Sequence, residues 1–154
     1  MKNRPTILES SIHESVEFGL EVKIILPVNL YGCKIEDECF IGPFTEVQQS
    51  VLIGAKTRIQ SHSFICEGVT IGHDCFIGHG VIFINDAFSD GKPASGDKTK
   101  WKSTTIGNHV SIGSNATIMP VLICDHTVIG AGAVVTSDII VPGKYVGNPA
   151  RLIK

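Results

Sequence analysis

The sequence lacks a long hydrophobic run, a strong excess of charge of either sign and a leader-like start. No stretch approaches the roughly 18 apolar residues that span a bilayer, and no long apolar segment follows Met1–Pro5. We therefore expect neither a membrane span nor a signal peptide. The formal net charge of -2 gives no electrostatic reason to expect nucleic acid or an anionic membrane as a partner.

Paired cysteines are also missing. The 5 cysteines form no CxxC pair, and an odd number suits reduced thiols in a cytoplasmic protein better than a disulfide framework. Cys39 and Cys75 each follow an aliphatic repeat position by four residues, where small core residues are expected. We interpret the cysteines as core residues rather than as nucleophiles or metal ligands.

What the sequence does contain is a repeat of six residues. A period of six fits neither a helix nor a hairpin meander, but it fits a short strand and a tight corner, repeated. One-residue slips follow Leu30 and Ile118, and a long interruption follows Phe83. The repeat positions are Ile12, Phe18, Ile24, Leu30, Ile35, Ile41, Val47, Ile53, Ile59, Ile65, Ile71, Ile77, Phe83, Ile106, Ile112, Ile118, Ile123, Ile129, Val135 and Val141.

Repeats of this kind cannot bury an apolar face alone, so the pattern predicts a solenoid with one continuous core. With 43% hydrophobic residues in 154 positions, we expect a single domain over 1–154. The pattern resembles the hexapeptide-repeat superfamily over nearly the whole chain. That resemblance implies an all-β, left-handed parallel β-helix with about 18 residues per coil, and a homotrimer.

The interruption runs from Ile84 to Thr105 and inserts 17 residues into the repeat. It is rich in Gly, Pro, Ser, Asp and Lys, and it holds the only tryptophan, Trp101. A loop this long in a compact domain is usually functional or disordered. The alternatives are a loop that docks on a subunit, a substrate or its own coil, and a mobile surface loop.

The end of the chain, with IGAGAVVTSDI and VGNPARLI, resembles the C-terminal signature of hexapeptide acyltransferases that use acetyl-CoA. The resemblance implies acetyl-CoA as co-substrate, with backbone contacts near Ala131 and Thr136. It places Lys144 or Arg151 near the phosphates of CoA, and basic side chains suit that role.

The stretch before the interruption resembles the N-acetyltransferases of nucleotide-linked 3-amino sugars, which build N-acetylated sugars for surface polysaccharides. The specific part is Gly78–Asp86, read as GHGVIFIND, together with the inserted loop. By this resemblance Asn85 lies beside the sugar amine and His79 lines the pocket. The substrate-binding residues it implies are Asp86, Glu46, Gln48, Gln60 and His62.

The six-residue period also predicts where these side chains lie. His73, His79 and Asn85 each follow a repeat position by two residues, so they occupy equivalent corners on three successive faces. They point apart in one subunit, and residues of adjacent subunits of a trimer can meet in one groove. Glu67 precedes Asn85 by 18 positions, so the two are expected to stack about 4.8 Å apart on neighbouring coils.

Two histidines are candidate general bases. His79 belongs to the motif above, and His73 lies in a His-Asp-Cys segment that resembles the catalytic segment of other hexapeptide acyltransferases. A histidine can take the proton of the attacking amine. Alternatively, the amine needs only positioning beside the thioester, with no obligate base.

A metal site is not expected, since the other histidines are scattered at His13, His62, His109 and His126.

Taken together, these resemblances favour an acetyl-CoA-dependent N-acetyltransferase acting on the amine, at carbon 3, of a dTDP- or UDP-linked amino sugar. One alternative is an O-acetyltransferase acting on a hydroxyl. The other is a non-catalytic or metal-dependent β-helix protein.

Overall fold

Short strands are the unit of the fold, which a computed structural model describes for residues 11–153. From Leu30 to Val135, the last residue of each strand is a repeat residue and is buried. A 3-10 turn covers Lys98–Lys100. The strands are β1 (Glu17–Phe18), β2 (Lys23–Ile24), β3 (Asn29–Leu30), β4 (Lys34–Ile35), β5 (Phe40–Ile41), β6 (Glu46–Val47), β7 (Leu52–Ile53), β8 (Arg58–Ile59), β9 (Phe64–Ile65), β10 (Val69–Ile71), β11 (Phe76–Ile77), β12 (Ile82–Phe83), β13 (Thr104–Ile106), β14 (Ser111–Ile112), β15 (Thr117–Ile118), β16 (Leu122–Ile123), β17 (Val128–Ile129), β18 (Val134–Val135), β19 (Lys144–Val146) and β20 (Arg151–Ile153).

Successive strands lie on three faces of a prism. Face I consists of β1, β4, β7, β10, β13 and β16, and face III consists of β3, β6, β9, β12, β15 and β18. Face II consists of β2, β5, β8, β11, β14 and β17, with β19 and β20 at its end. Neighbouring strands pair in parallel, except for the antiparallel pair β19–β20. The parallel β-helix predicted from the hexapeptide period is confirmed.

The register shows how the slips and the insertion are accommodated. Ile35 pairs with Ile53, 18 positions on, whereas Ile106 pairs with Ile123, 17 positions on. Each slip therefore gives coils that are one residue shorter. Ile106 also pairs with Ile71, 35 positions earlier, which is one coil of 18 plus the 17 inserted residues. The loop consequently leaves and rejoins the solenoid without disturbing the stacking.

The core is one continuous column of repeat residues, many of them 0% or 1% exposed. Cys33, Cys39, Cys66 and Cys75 are buried in it, and burial raises the pKa of Cys66 to about 12. Coils stack closely at glycines: a Cβ on Gly78 would lie 2.7 Å from the backbone nitrogen of Ser114. Four of the five cysteines are thus core residues, as expected.

The fold departs from the sequence prediction at both ends and at the loop. Ile12 and Phe18 are 38% and 43% exposed in the first described coil. Val141 is exposed, and Ile139, 4% exposed, takes the inward position by bridging to Ile123. Thr104 and Thr105 belong to β13, so the loop ends two residues earlier than predicted, because these threonines pair with β10. The start of the chain, where no signal peptide was expected, lies outside the described residues.

Candidate active site

The corner that leads from face III to face I carries Asn85, the residue expected beside the acceptor amine. Asn85 follows strand β12 by two residues, and its side-chain amide donates to the backbone carbonyl of Glu67 at 3.1 Å. Glu67 lies 18 positions earlier, so the two residues do stack on neighbouring coils. The half-buried amide is therefore fixed in orientation by the backbone of Glu67.

The carboxylate of Glu67 is held on both oxygens. Lys98, from the inserted loop, donates to Oε2 at 2.7 Å and to Oε1 at 3.0 Å, and Gln49 donates to Oε2 at 2.9 Å. The hydrogen bond from Lys98 is the main cause of a pKa for Glu67 below its ordinary value; partial burial opposes this effect, and Gln49 adds to it. Glu67 is consequently ionised at neutral pH.

A chain of hydrogen bonds extends this corner onto face III. The backbone N–H of Glu67 donates to Gln48 Oε1 at 3.1 Å, and Gln48 Nε2 donates to Glu46 Oε1 at 2.9 Å. Glu46, Gln48, Glu67 and Asn85 are thus brought together, although the sequence places them up to 39 positions apart. Two carboxylates and two amides at one corner form a polar surface that suits a substrate rich in hydroxyl and amine groups.

Tyr31 belongs to the same surface and was not predicted from the sequence. Burial raises the pKa of Tyr31, as do the nearby charges of Glu46 and Glu67, whereas a hydrogen bond with Gln48 lowers it. The pairing of β3 with β6 sets Tyr31 beside Gln48 on the next coil. The spacing is 17 rather than 18 because of the slip after Leu30, so a search that counts coils of 17 residues would find it.

Asp86 holds the inserted loop. Its Oδ1 accepts from the backbone N–H of Phe88 at 3.0 Å, and its Oδ2 accepts from that of Ala94 at 2.7 Å. The backbone N–H of Lys102 donates to the carbonyl of Asn85 at 3.0 Å and closes the base of the loop. Both carboxylate oxygens of Asp86 therefore bind loop backbone, so this predicted substrate residue first of all shapes the loop.

Trp101 lies near Lys98 and borders a cleft at this corner. Lys98 Nζ lies 5.5 Å from the centre of the Trp101 ring, within reach of a cation–π contact. The two residues line a cleft of about 260 Å³ between the loop and the corner. The cleft is lined by Glu67, Gly68, Lys98, Trp101, Lys102 and Ser103.

The corner between faces II and III carries His79. Its Nδ1 lies 2.8 Å from the hydroxyl of Ser61, one coil earlier, and the imidazole is otherwise exposed. His62 is at the same corner with a φ of 63°, and its ring stacks on Phe44 at 4.8 Å. Gln60 follows strand β8 here and is half-buried. The structure thus groups His79, His62 and Gln60, apart from Asn85.

The corner between faces I and II carries His73. Its Nδ1 lies 2.7 Å from Asp74 Oδ2, and both side chains are exposed. The hydrogen bond from His73 is the main cause of a lowered pKa of Asp74, with a smaller contribution from the charge of His109. A carboxylate on one ring nitrogen orients the imidazole, an arrangement that general bases often have.

Two further histidines stack above His73. His109 meets the His73 ring edge-on at 5.0 Å, and His126 stacks on His109 at 4.9 Å. The sequence interpretation of His109 and His126 as scattered is therefore wrong, because insertion and slip together bring them to one corner. His73, Asp74 and His109 each offer a ligand atom, all within 4.8 Å of one another, a donor set that could hold a divalent transition metal.

Within one chain the three catalytic candidates remain separate. His73, His79 and Asn85 follow strands β10, β11 and β12, which lie on faces I, II and III. None of the hydrogen bonds or ring contacts found among residues 11–153 joins one of them to another. The sequence prediction that they occupy equivalent corners and point apart agrees with this arrangement.

The residues expected at CoA lie on the last coils and are all exposed. Ala131 follows β17 at the corner of faces II and III, above Gly113, and Thr136 follows β18 at the next corner. Lys144 and Arg151 lie in the antiparallel pair β19–β20, where Arg151 pairs with Val146. Arg151 Nη1 donates to the carbonyl of Ala150 at 2.9 Å, and both basic side chains remain accessible.

Comparison with known proteins agrees with the coil geometry. Residues 103–137 match a family described as the hexapeptide repeat of succinyl-transferase. The bifunctional protein GlmU of Streptococcus uberis is 33% identical over 150 residues, which are 97% of this chain and 29% of that protein. The chain spans about a fifth to a third of the length of the curated relatives it matches.

Two solved structures share the fold. AntD, an N-acyltransferase from Bacillus cereus solved with dTDP and coenzyme A, has a TM-score of 0.72 at 22% identity, covering 90% of this chain and 82% of AntD. A hexapeptide-repeat acetyltransferase from Vibrio cholerae, solved with acetyl coenzyme A, has a TM-score of 0.66 at 22% identity, covering 80% and 70%. Among residues 11–153 there is no helix with the length and apolar content of a membrane span.

The fold and its period define a parallel β-helix of hexapeptide repeats. The repeat match in residues 103–137 and the coil shared with the solved acyltransferases agree with this fold.

Proposed function

We propose that the protein transfers the acetyl group of acetyl-CoA to the amine, at carbon 3, of a dTDP- or UDP-linked amino sugar in surface polysaccharide biosynthesis. The observation that carries this proposal is the pairing of Asn85 with Glu67 beneath the inserted loop. There the amide of Asn85 is oriented by the backbone carbonyl of Glu67, whose side chain is an ionised carboxylate. An ammonium group forms an ion pair with such a carboxylate, and the surrounding amides can form hydrogen bonds with sugar hydroxyls.

AntD supports the same choice of ligands, since it was solved with dTDP and coenzyme A and shares this fold. In the proposed reaction the bound ammonium first releases one proton to solvent; the neutral amine then attacks the thioester carbon, so an N–C bond forms and the C–S bond breaks. The amine loses a proton, and the departing thiolate of CoA takes one up. Asn85 orients the amine, and placing it beside the thioester accounts for much of the rate.

We further propose that the active unit is a homotrimer. His73, His79 and Asn85 lie on separate corners of one chain, so a complete site needs corners from adjacent subunits. A groove between subunits would also place CoA along the last coils, near Ala131 and Thr136, with Lys144 or Arg151 at its phosphates. Sedimentation equilibrium of the purified protein tests this part, and a monomer at assay concentration contradicts it.

The activity is tested with acetyl-CoA and a panel of dTDP- and UDP-linked amino sugars, by following the release of free CoA with a thiol reagent. We expect release with a 3-amino sugar and not with the matched 3-hydroxy sugar. Absence of release with every amino sugar would reject the proposal. Asn85→Ala is expected to raise KM for the sugar and lower kcat, because the amine loses its orienting partner.

O-acetylation is the second candidate, and the His73–Asp74 pair is the observation that favours it. An alcohol is barely ionised at neutral pH, so its acetylation requires a base more strictly than that of an amine. Loss of at least about a hundredfold in rate in His73→Ala or His79→Ala indicates an obligate base. Modest losses in both variants support the amine acceptor without an obligate base.

A non-catalytic or metal-dependent β-helix is the remaining alternative, to which the donor set of His73, Asp74 and His109 gives a structural basis. Metal analysis of the purified protein and thermal unfolding with and without CoA separate it from the proposal. A rise in Tm with CoA is expected from a CoA-binding enzyme and would contradict a pure scaffold.

A further inference from the structure

The side chain of Lys98 occupies a site with the chemistry of an amine receptor. Its ammonium binds both oxygens of the Glu67 carboxylate at 2.7 and 3.0 Å, and the backbone carbonyl of the same glutamate accepts from the amide of Asn85. We infer that Glu67 is the binding site for the substrate ammonium and that Lys98 occupies it in the free protein as a built-in competitor. This inference rests on the proposed amino-sugar substrate and goes beyond it.

The chemical match is close. A lysine ammonium and a protonated sugar amine are both primary ammonium groups that donate three hydrogen bonds and carry one positive charge. Among residues 11–153, Oε1 of Glu67 accepts from Lys98 alone, whereas Oε2 accepts from both Lys98 and Gln49. A substrate ammonium can therefore reach the carboxylate by displacing Lys98, while Gln49, which belongs to the solenoid, keeps the carboxylate in place.

The position of Lys98 allows its side chain to be displaced from Glu67. The side chain of Lys98 is 51% exposed, whereas that of Glu67 is 21% exposed. Lys98 belongs to the inserted loop, in a 3-10 turn that contains no buried residue, while Glu67 follows a core strand. An ion pair with so exposed a lysine is weak, so a substrate with further contacts to the corner can replace it.

A purely structural ion pair makes the opposite prediction. If Lys98 only holds the loop over the site, its removal loosens the pocket and raises KM for the amino sugar. If Lys98 competes with the substrate, its removal frees Glu67 and lowers KM. The direction of the change in KM therefore decides between the two roles.

The test compares Lys98→Met with Lys100→Met. Lys100 lies in the same 3-10 turn and pairs with Asp90 at 2.7 Å, away from Glu67, so it controls for the loss of a loop charge. We expect Lys98→Met to lower KM for the 3-amino sugar nucleotide about two- to fivefold, the range that an exposed ion pair corresponds to. KM of Lys100→Met should equal that of the wild type. An unchanged or raised KM in Lys98→Met overturns the inference.

Binding is measured separately through Trp101, the only tryptophan, whose ring lies 5.5 Å from Lys98 Nζ. Titration with a dTDP-linked 3-amino sugar should change Trp101 emission, because Lys98 leaves its position. The N-acetylated form of the same compound has no ammonium and should leave the emission unchanged at equal concentration. An equal response to both compounds, or no response to the amine, overturns the inference.

The two measurements also distinguish failure of the inference from failure of the proposed function. If no amino sugar supports CoA release but the amine alone changes Trp101 emission, the ammonium site stands and the proposed reaction fails. If CoA is released while KM in Lys98→Met is unchanged or raised, the reaction stands and the role of Lys98 as a competitor fails.

Discussion

The solenoid and the inserted loop are held in place by different physical means. Each repeat residue of the solenoid packs between equivalents on the coils above and below, as Ile112 does between Ile77 and Ile129. The loop depends on single polar contacts, chiefly the carboxylates of Asp86 and Glu67. The loop can therefore open while the core remains folded, since opening breaks none of the core contacts.

The largest change in stability is expected from a cavity in the core of the solenoid. Ile112 is 0% exposed, and we expect Ile112→Ala to lower the free energy of unfolding by about 2–5 kcal/mol, the cost of truncating a buried isoleucine. Ser111, the exposed residue of the same strand, provides the control. Ser111→Ala is expected to change it by less than about 0.5 kcal/mol.

Urea unfolding of the two variants at equal protein concentration measures this difference. Equal concentration matters because subunit association would add to the apparent stability. Equal losses in both variants would contradict the assignment of the core to the repeat positions alone.

Most of this core could be predicted from the sequence, because in a three-sided prism the six-residue period also determines which residues are buried. Each step of six moves the chain to the next face, so every repeat residue from Leu30 to Val135 points inward. The pattern failed at Val141, where the chain bends after β18 and Ile139 becomes the inward residue. Past the last complete coil, spacing alone no longer determines which side chain faces the core.

The candidate site was predictable only where it follows the spacing of the coils. The stacking of Asn85 on Glu67 follows from 18 residues per coil and was predicted. Tyr31 was missed because a slip changes its spacing to 17, and the column of His109 on His126 was missed for a similar reason. Lys98 could not be predicted, because the path of an inserted loop depends on contacts such as those of Asp86 and not on a period.

Loss of the Asp86 carboxylate is expected to open the loop without unfolding the solenoid. Asp86→Ala removes the acceptor for the backbone N–H groups of Phe88 and Ala94, and hydrogen bonds to charged groups contribute about 1.5–3 kcal/mol. We expect trypsin to cleave after Lys98, Lys100 or Lys102 at least about ten times faster, since cleavage follows the population of the open loop. The urea midpoint of the solenoid should barely change.

Asp90→Ala is the control for this prediction, because Asp90 is an exposed loop carboxylate whose ion pair is with Lys100. An exposed pair contributes about 0–1 kcal/mol, so cleavage should rise less than in Asp86→Ala. Similar rates in the two variants would show that Asp86 does not hold the loop, and a matching fall in the urea midpoint would show that loop and solenoid unfold together.

The smallest effect concerns the contact through which loop and solenoid meet. The pKa of Glu67 lies below its ordinary value of 4.5, mainly because of Lys98 and to a smaller extent because of Gln49. A carboxyl group whose pKa is lower in the folded state stabilises that state above the unfolded pKa, and this contribution is lost as the pH falls through the folded pKa.

Acidification below 4.5 should therefore release Lys98 and change Trp101 emission, although the core stays folded. Tyr31 also lies near this carboxylate, so the direct measurement is the NMR shift of the Glu67 carboxyl carbon. Its midpoint should move up in Lys98→Met, and less far up in Gln49→Ala. Equal midpoints in wild type and Lys98→Met would mean that the ion pair does not persist in solution, and the loop would then be held by Asp86 and by the backbone bond of Lys102 to Asn85.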